Sequence, residues 1–489
     1  MRSRRLALVA VVVAAAAVVA VRLRGRSRTP RALRHTGRGT RTTRLARLGT
    51  RAGGSYALHR ARRVFASTER REALDATHEL RTAEQVADVL GDMKGALMKV
   101  GQMASYLDTG LPEPLRAALA QLQQDAPPMS ADLAAEAIER ELGAPPERAF
   151  VEWDPMPIAA ASIGQVHRAI TRDERAVAVK IQYPGVAGAI TADLDNAGLL
   201  LGVLRAAFPG LEPRPLLAEL RARIGEELDY RKEATNQRLF ASFYDGHPFI
   251  SVPDVVGELS TTRVLTTDLA DGVRFDEMEQ WPREERDLAA EAIFRFVFRS
   301  LYRLRAFNGD PHPGNYLFRS DGRVTFLDFG LVKHFADNDL AHLLALIRHM
   351  VLEPNPPAFR VAVERAGFLR AGAPVSDDLA MEYFGHFYEF VLEDRVATIG
   401  FDYAAETVRR YFDANGPYRN VLRAANLPPS FVIIQRINLG LYAILARLHA
   451  TANWRRIAEE IWPGVDGPPS TELARREQAW WSRRRAEAS

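Results

Sequence analysis

Apolar residues recur three and four apart between Glu69 and Gln124, as in Val86, Val89 and Leu90 followed by Met93, Leu97 and Met98. That spacing predicts helix. The stretch DAPPMS (125–130) breaks the pattern, and LAAEAIERELG (133–143) predicts a further helix closed by Gly143 and Pro145–Pro146. From Arg148 to Gly185 the texture changes to alternation with a turn at TRDER, which predicts a small antiparallel sheet. Beyond about residue 187 helix predominates. FISVPDVV (249–256) and TTRVLTTDLA (261–270) are expected to form a strand pair, and LAAEAIFRFVFRSLYRLRAF (288–307) a long buried helix. Residues 335–465 read as helical, with proline-rich breaks near 354–357 and 427–429. FVIIQRINLGLYAILARL (431–448) is apolar, but Gln435, Arg436 and Asn438 argue for a core helix rather than a membrane span. No internal repeat is evident.

Composition narrows the class. The chain has 489 residues, 47% hydrophobic and 26% charged, which is ordinary for globular protein of two to four domains. The absence of cysteine excludes disulfides, thiol catalysis, iron–sulfur clusters and cysteine-type zinc sites. The net charge of +4 hides an asymmetry: residues 1–63 hold seventeen arginines and no Asp, Glu or Lys. The remaining 48 basic and 61 acidic residues give the body a net charge of −13. The basic charge is therefore confined to the head, and a general nucleic-acid-binding reading fails.

In the head, Leu6–Val21 is a sixteen-residue apolar run between arginine clusters. It is marginally short for a spanning helix, but Arg5 and Arg22 can snorkel to the interfaces. The expectation is a membrane anchor at 1–24. The competing readings are a cleaved, twin-arginine-like signal and a segment lying on the membrane surface. Arg22, Arg24, Arg26 and Arg28 oppose translocation of the downstream chain, which places the body in the cytoplasm. Residues 25–68 read as an arginine-rich, partly disordered tether suited to anionic headgroups. A nucleic-acid tether is a rival, but it lacks the aromatic platforms that single strands use.

The chemistry lies in FNGDPHPGNYLF (307–318) and VTFLDFGLV (324–332). Carboxylates in apolar surroundings such as Asp310 and Asp328 need a metal or a counter-charge. Read with VAVK, which puts Lys180 on a third strand, and with the acidic cluster EELDYRKE (226–233), the order is that of a kinase. Lys180 would meet the α/β-phosphates, with Glu233 its best helix partner. Asp328 would bind the bridging Mg²⁺, Asn315 would complete the metal shell, and Asp310 would orient the acceptor and take its proton. Mg²⁺ takes oxygen ligands, usually one or two carboxylates plus phosphate. His312 reads as a brace for the loop rather than a base.

Three further stretches carry a resemblance. AAASIGQVHRA (159–169) stands where a protein kinase has its glycine-rich loop, LMKVGQMASYL (97–107) contains Lys-x-Gly-Gln, and ELDY (227–230) contains Glu-x-Asp. With these the chain closely resembles the UbiB/AarF/ADCK atypical kinases from about residue 85 to 345, and plausibly to 460. The resemblance implies an α+β, bilobal, protein kinase-like fold: a helical extension (69–147), a β-rich N-lobe (148–270), a helical C-lobe (271–465) and a C-terminal tail (466–489). It implies that Ala159, Ala160, Ala161 and Ser162 form an alanine-rich cover over the nucleotide, altering nucleotide preference and restraining phosphoryl transfer. It implies that Lys99 and Gln102 lie on a helix covering the active site, and that Glu227 and Asp229 engage that helix.

The expected cofactors are ATP and Mg²⁺. The expected activity is ATP hydrolysis coupled to an isoprenoid lipid, a quinone-related pathway or lipid-biosynthesis enzymes, at an anionic membrane surface and without a specific nucleic acid. Two rivals stand. One is a small-molecule phosphotransferase of the aminoglycoside or choline kinase type, whose loop GDPHPGN also resembles. The other is a non-catalytic, nucleotide-gated lipid-binding scaffold.

Overall fold

The computed structural model describes residues 129–187 apart from 162, and 228–487 apart from 310, 404, 405, 407–415 and 426–428; for 387 and 429–436 it describes the backbone alone. The apolar head, the tether and the helical extension up to residue 128 lie outside the described residues, as do Lys99, Gln102, Ser162, Glu227 and Asp310. The chain divides into two compact units, Met1–Arg175 with Val179–Leu228, and Ala176–Ala178 with Asp229–Ser489.

In the first unit, helix α1 (Ala131–Leu142) starts at Ser130, whose hydroxyl accepts from Leu133 N. It ends at Gly143, which adopts φ 76° and returns its N–H to Glu139 O. Ser130 and Gly143 are the cap residues expected at those two ends. Ala134, Ala137 and Ile138, spaced three and four apart, form its buried stripe. Strands β1 (Glu152–Ala161) and β2 (Gly164–Ile170) make an antiparallel hairpin, and β3 (Ala176–Gln182) is the next strand in the order. Gly164 passes so close to Ile181 that a β-carbon on it would lie 2.0 Å from the Ile181 carbonyl oxygen. Only glycine allows that approach. Gln182 closes the strand by donating to Leu228 O at 3.0 Å.

The second unit carries most of the apolar core. Helix α2 (Tyr230–Phe243) buries Tyr230, Glu233, Ala234, Gln237, Phe240 and Ala241. Strands β4 (Ile250–Ser251) and β5 (Val264–Asp268) come next in the chain. The stretches 249–256 and 261–270 pair only beyond β4, through an isolated antiparallel bridge, Val255 to Thr267, with Val256 N donating to Thr266 O and Asp268 N to Asp254 O, each at 2.9 Å, so the expected strand pair forms in part. Strand β4 itself runs parallel to a strand more than seventy residues later, a long-range partner that local alternation cannot announce.

Helix α3 (Arg283–Arg299) continues as one π-helical turn, Ser300–Leu304, and stops at Arg305, which adopts φ 53°. The long helix expected to run to 307 therefore ends earlier, and Ala306–Asn308 becomes strand β6. Strands β7 (Tyr316–Phe318) and β8 (Val324–Phe326) form a hairpin, with β4 on the other side of β8. Strand β9 (Val332–His334) pairs with β6 before helix α4 (Asp337–Ile347) begins, so the chain does not run directly from the LDFG segment into helix.

Helix α5 (Pro429–Arg447) buries Ile437, Leu441, Tyr442, Ile444 and Leu445 in this core, and no helix of the described residues is long and apolar enough to cross a membrane. Helix α6 (Trp454–Ile461) and helix α7 (Glu472–Glu487) complete the unit. The stretch expected to be a tail is thus largely α7. Glu477 of α7 is buried and bonds Arg295 Nη1 at 3.0 Å and Arg299 Nε at 3.0 Å. Arg295, fully buried, also holds Glu291 at 2.7 Å and Glu460 at 2.7 Å. Burial alone would raise the Glu477 carboxyl; His247, Arg299 and Arg295 outweigh it and hold that carboxyl well below the usual range.

Candidate active site

The LDFG segment joins β8 to β9, and backbone pairing fixes its frame. Leu327 N donates to Asn315 O at 3.0 Å, and Gly309 N donates to Leu331 O at 2.6 Å. Asn315 ends a short 3₁₀ turn, Pro313–Asn315, in which His312 Nδ1 accepts from Gly314 N at 3.0 Å. His312 thus serves as the loop brace expected of it. Asn315 and Asp328 stand at the same end of the β7–β8 hairpin, one at each strand.

The Asp-Phe-Gly turn is gripped at each residue. Asn308 Nδ2 donates to Asp328 O at 2.8 Å, and Asn236 Nδ2 donates to Phe329 O at 3.1 Å. Gly330 N donates to the Asp328 carboxylate Oδ1 at 2.9 Å, which orients that side chain. Phe329 is fully buried, with its ring 4.9 Å from that of Phe240 and 6.5 Å from that of Phe296.

Helix α2 reaches this turn along one face. Glu233, Asn236 and Phe240 are spaced three and four apart, which aligns them on a helix. Glu233 is only 3% exposed, and its carboxylate lies where a β-carbon on Gly330 would come 3.5 Å from Oε2. Sequence reasoning singles out Glu233 but misses Asn236, Phe240 and Asn308. The helical spacing from Glu233 is the available signal for the first two; Asn308 has none.

Asp229 stands just before the helix that carries Glu233: it is the N-cap of α2, extended at φ −119°, and its carboxylate accepts from Arg231 N at 3.1 Å. Asp is a favoured N-cap because its side chain satisfies an orphan amide, and α2 therefore starts at Tyr230, directly after the motif.

In the first unit, Lys180 sits on β3 and is half-buried, on the face opposite buried Val179 and Ile181. The alanine-rich stretch is strand rather than loop. Ala159, Ala160 and Ala161 end β1 and face Val166, Gln165 and Gly164 across the hairpin. The return strand carries a buried relay. Gln165 accepts from Met129 N at 2.7 Å and has its Nε2 2.8 Å from His167 Nε2; His167 Nδ1 bonds Asp154 O at 2.9 Å. Burial lowers the His167 pKa, against the pull of Asp154. With Nδ1 donating to that carbonyl, Nε2 is the acceptor for Gln165.

Comparison with known proteins fits this arrangement. Residues 121–355 match the ABC1 atypical kinase-like domain. Atypical kinase COQ8B, mitochondrial, of Rattus norvegicus is 35% identical over 268 residues, covering 54% of this chain and 51% of that protein. AarF domain-containing protein kinase 1 of Xenopus laevis is 31% identical over 277 residues, covering 55% and 53%. The chain thus spans about half the length of these curated relatives. A solved structure, Rv3197 of Mycobacterium tuberculosis in complex with erythromycin, is 33% identical with a TM-score of 0.59, covering 81% of this chain and all of that one. The α+β architecture is kinase-like, and the chain belongs to the UbiB/AarF/ADCK family of atypical kinases.

Proposed function

We propose that the chain binds ATP with Mg²⁺ at the Asp-Phe-Gly turn and acts as an atypical kinase or ATPase on a membrane-associated substrate. The observation that carries this reading is the turn itself. Three carboxamide or carboxylate groups, from Asn308, Asn236 and Asp328, bond its backbone, and buried Glu233 stands beside it. In this reading Asp328 and Asn315 hold the metal, Lys180 meets the phosphates with Glu233 as its partner, and Asp310 orients the acceptor. The donor set fits: it is oxygen-only and has few carboxylates. Mg²⁺ usually takes one or two carboxylates and completes its shell with phosphate and water. Bound Mg²⁺ would neutralise the phosphate charge.

The same reading gives Ala159–Ala161 and Ser162 the role of a nucleotide cover, and Lys99, Gln102, Glu227 and Asp229 that of an obstructing element. An obstructed site favours ATP hydrolysis coupled to an isoprenoid or quinone-related lipid over phosphorylation of bulky proteins. The apolar run 6–21 would hold the chain at the bilayer. Because the Rv3197 relative was solved with erythromycin, a bulky amphipathic ligand is a second candidate class.

The test is a melting titration of the full chain in detergent with ATP, with and without Mg²⁺, for wild type and Asp328→Asn. Ligand at 100 times its dissociation constant adds about 2.7 kcal/mol. A Mg²⁺-dependent rise that the variant lacks supports the site; equal rises with and without Mg²⁺ sink the metal assignment.

A further inference from the structure

We propose that helix α7 is a positioning element for the Asp-Phe-Gly turn: through Trp481 and Arg484 it fixes the C-terminal end of α2, and α2 in turn sets Glu233, Asn236 and Phe240 against the turn. The proposal deepens the nucleotide-site reading and rests on it for its functional consequence.

The last carbonyls of a helix have no partner within the helix. In α2 these belong to Ser242 and Phe243, and both accept from Arg484, through Nη2 at 3.1 Å and Nη1 at 2.5 Å. A guanidinium there also meets the negative end of the helix dipole. The Trp481 ring packs against Phe243 at 5.7 Å. One residue earlier, Trp480 Nε1 donates to Asp245 O at 3.1 Å and its ring lies 4.6 Å from that of His247. A turn earlier again, Arg476 donates to Pro248 O at 2.8 Å. Four backbone carbonyls between 242 and 248 are thus taken by side chains of one helix.

The other attachment of α7 is rigid. Glu477 is held by Arg295 and Arg299 of α3, inside the core. The helix therefore ties the end of α2 to α3. Glu233 lies ten residues before Phe243, about 15 Å along a helix that rises about 1.5 Å per residue. A packed helix moves as a rod over that distance, so a shift at Phe243 appears at Phe240, Asn236 and Glu233. Each of those three touches the turn: Phe240 at the Phe329 ring, Asn236 at the Phe329 carbonyl and Glu233 beside Gly330. Tyr244, whose hydroxyl is 2.8 Å from Ser300 Oγ, is a second anchor of the same helix end, so loosening α7 leaves α2 folded but freer to move.

The experiment compares full-length wild type with Trp481→Ala, Arg484→Ala and Arg484→Lys, all with Glu477 intact. Amide hydrogen exchange of residues 328–331 is followed without ligand, with urea unfolding of each protein as the measure of global stability. The expected result is exchange at 328–331 about tenfold faster in the alanine variants, beyond the change in the core strands, with most of the protection restored in Arg484→Lys. Unchanged exchange at 328–331, or an increase no larger than that of the whole core, overturns the proposal. If Trp481→Ala does not fold, the Arg484 pair decides alone. A second arm measures Mg²⁺–ATP affinity, expected about tenfold weaker in the alanine variants. Wild type that binds no nucleotide would refute the nucleotide reading while the exchange arm still decides the coupling.

Discussion

The carboxylate of Glu233 and the bare α-carbon of Gly330 lie against each other: a β-carbon on Gly330 would stand 3.5 Å from Glu233 Oε2 and 3.2 Å from Asp328 Oδ1. The second distance is tighter than ordinary contact, so a methyl group must displace the Asp328 carboxylate by a few tenths of an ångström. Gly330→Ala is therefore expected to keep the fold, with a loss of about 1 kcal/mol, and to weaken Mg²⁺-dependent nucleotide binding by about tenfold. Isothermal titration with Mg²⁺–ATP checks it; unaltered affinity would mean that the carboxylate position does not matter to the ligand.

Gly164 makes a stricter demand. Its would-be β-carbon meets backbone, the Ile181 carbonyl oxygen at 2.0 Å and carbon at 2.8 Å, and neither can rotate away. Gly164→Ala must push β2 from β3, the strand that carries Lys180. A loss of about 3 kcal/mol or more is expected, in the range of overpacked cores, read as a lower urea midpoint. A midpoint within experimental error of wild type would refute the close approach.

The arginine–glutamate cluster under α7 should be costly to break from either side. Arg295 and Glu477 are buried and bonded to each other, so removing one leaves the other desolvated and short of a partner. Glu477→Ala is expected to lower stability by about 3–5 kcal/mol. Replacing exposed Glu472, paired with Arg475 at 2.9 Å on the surface of the same helix, should cost under about 1 kcal/mol. Chemical denaturation of the two variants side by side measures the contrast.

Acid should unfold the second unit in two stages. His247 Nδ1 accepts from Ile250 N at 3.0 Å and Phe249 N at 3.4 Å, which leaves Nε2–H toward Glu477. Burial lowers its pKa, with Arg299 and Arg295 adding to the effect and Glu477 opposing it. A histidine with a depressed pKa contributes stability above its unfolded value, about 6.5, and that stability drains away as pH falls. Glu477, also depressed, adds a second loss through the ordinary carboxylate range and below. Glu291, raised by burial, works the other way: its contribution is present in acid and lost as pH rises. Melting temperature should thus decline from below about pH 6.5 and more steeply below about pH 4.5. His247→Asn keeps an acceptor without a titrating ring and should flatten the first stage. The buried His167 leaves it some slope. An equal slope in both proteins would acquit His247.

The features legible in the sequence are local or ordered. The helix ending at Gly143, the hairpin around 148–185 and the succession from Lys180 to Asp328 are each written in neighbouring residues. The failures share a cause. Strand β4 finds its partner at Val324 and Thr325, and no pattern inside FISVPDVV says so. Helix α7 buries Leu473, Ala474, Glu477 and Trp480, which is helical spacing. With a glutamate in the stripe and five arginines around it, however, the apolar period is too weak to separate it from a tail. Asp229 has the chemistry of a cap, and only the start of α2 distinguishes that from helix membership.

Gly440 of α5 faces Pro311, and a β-carbon there would fall 2.5 Å from the proline ring. The loop after Gly309 is thus seated in a dent on a helix well over a hundred residues downstream. A saturation screen that scored only loss of activity would group position 440 with the motif residues, although no local feature of NLGLY marks it. Grafting the GDPHPGN loop into another scaffold would likewise fail unless the dent travelled with it.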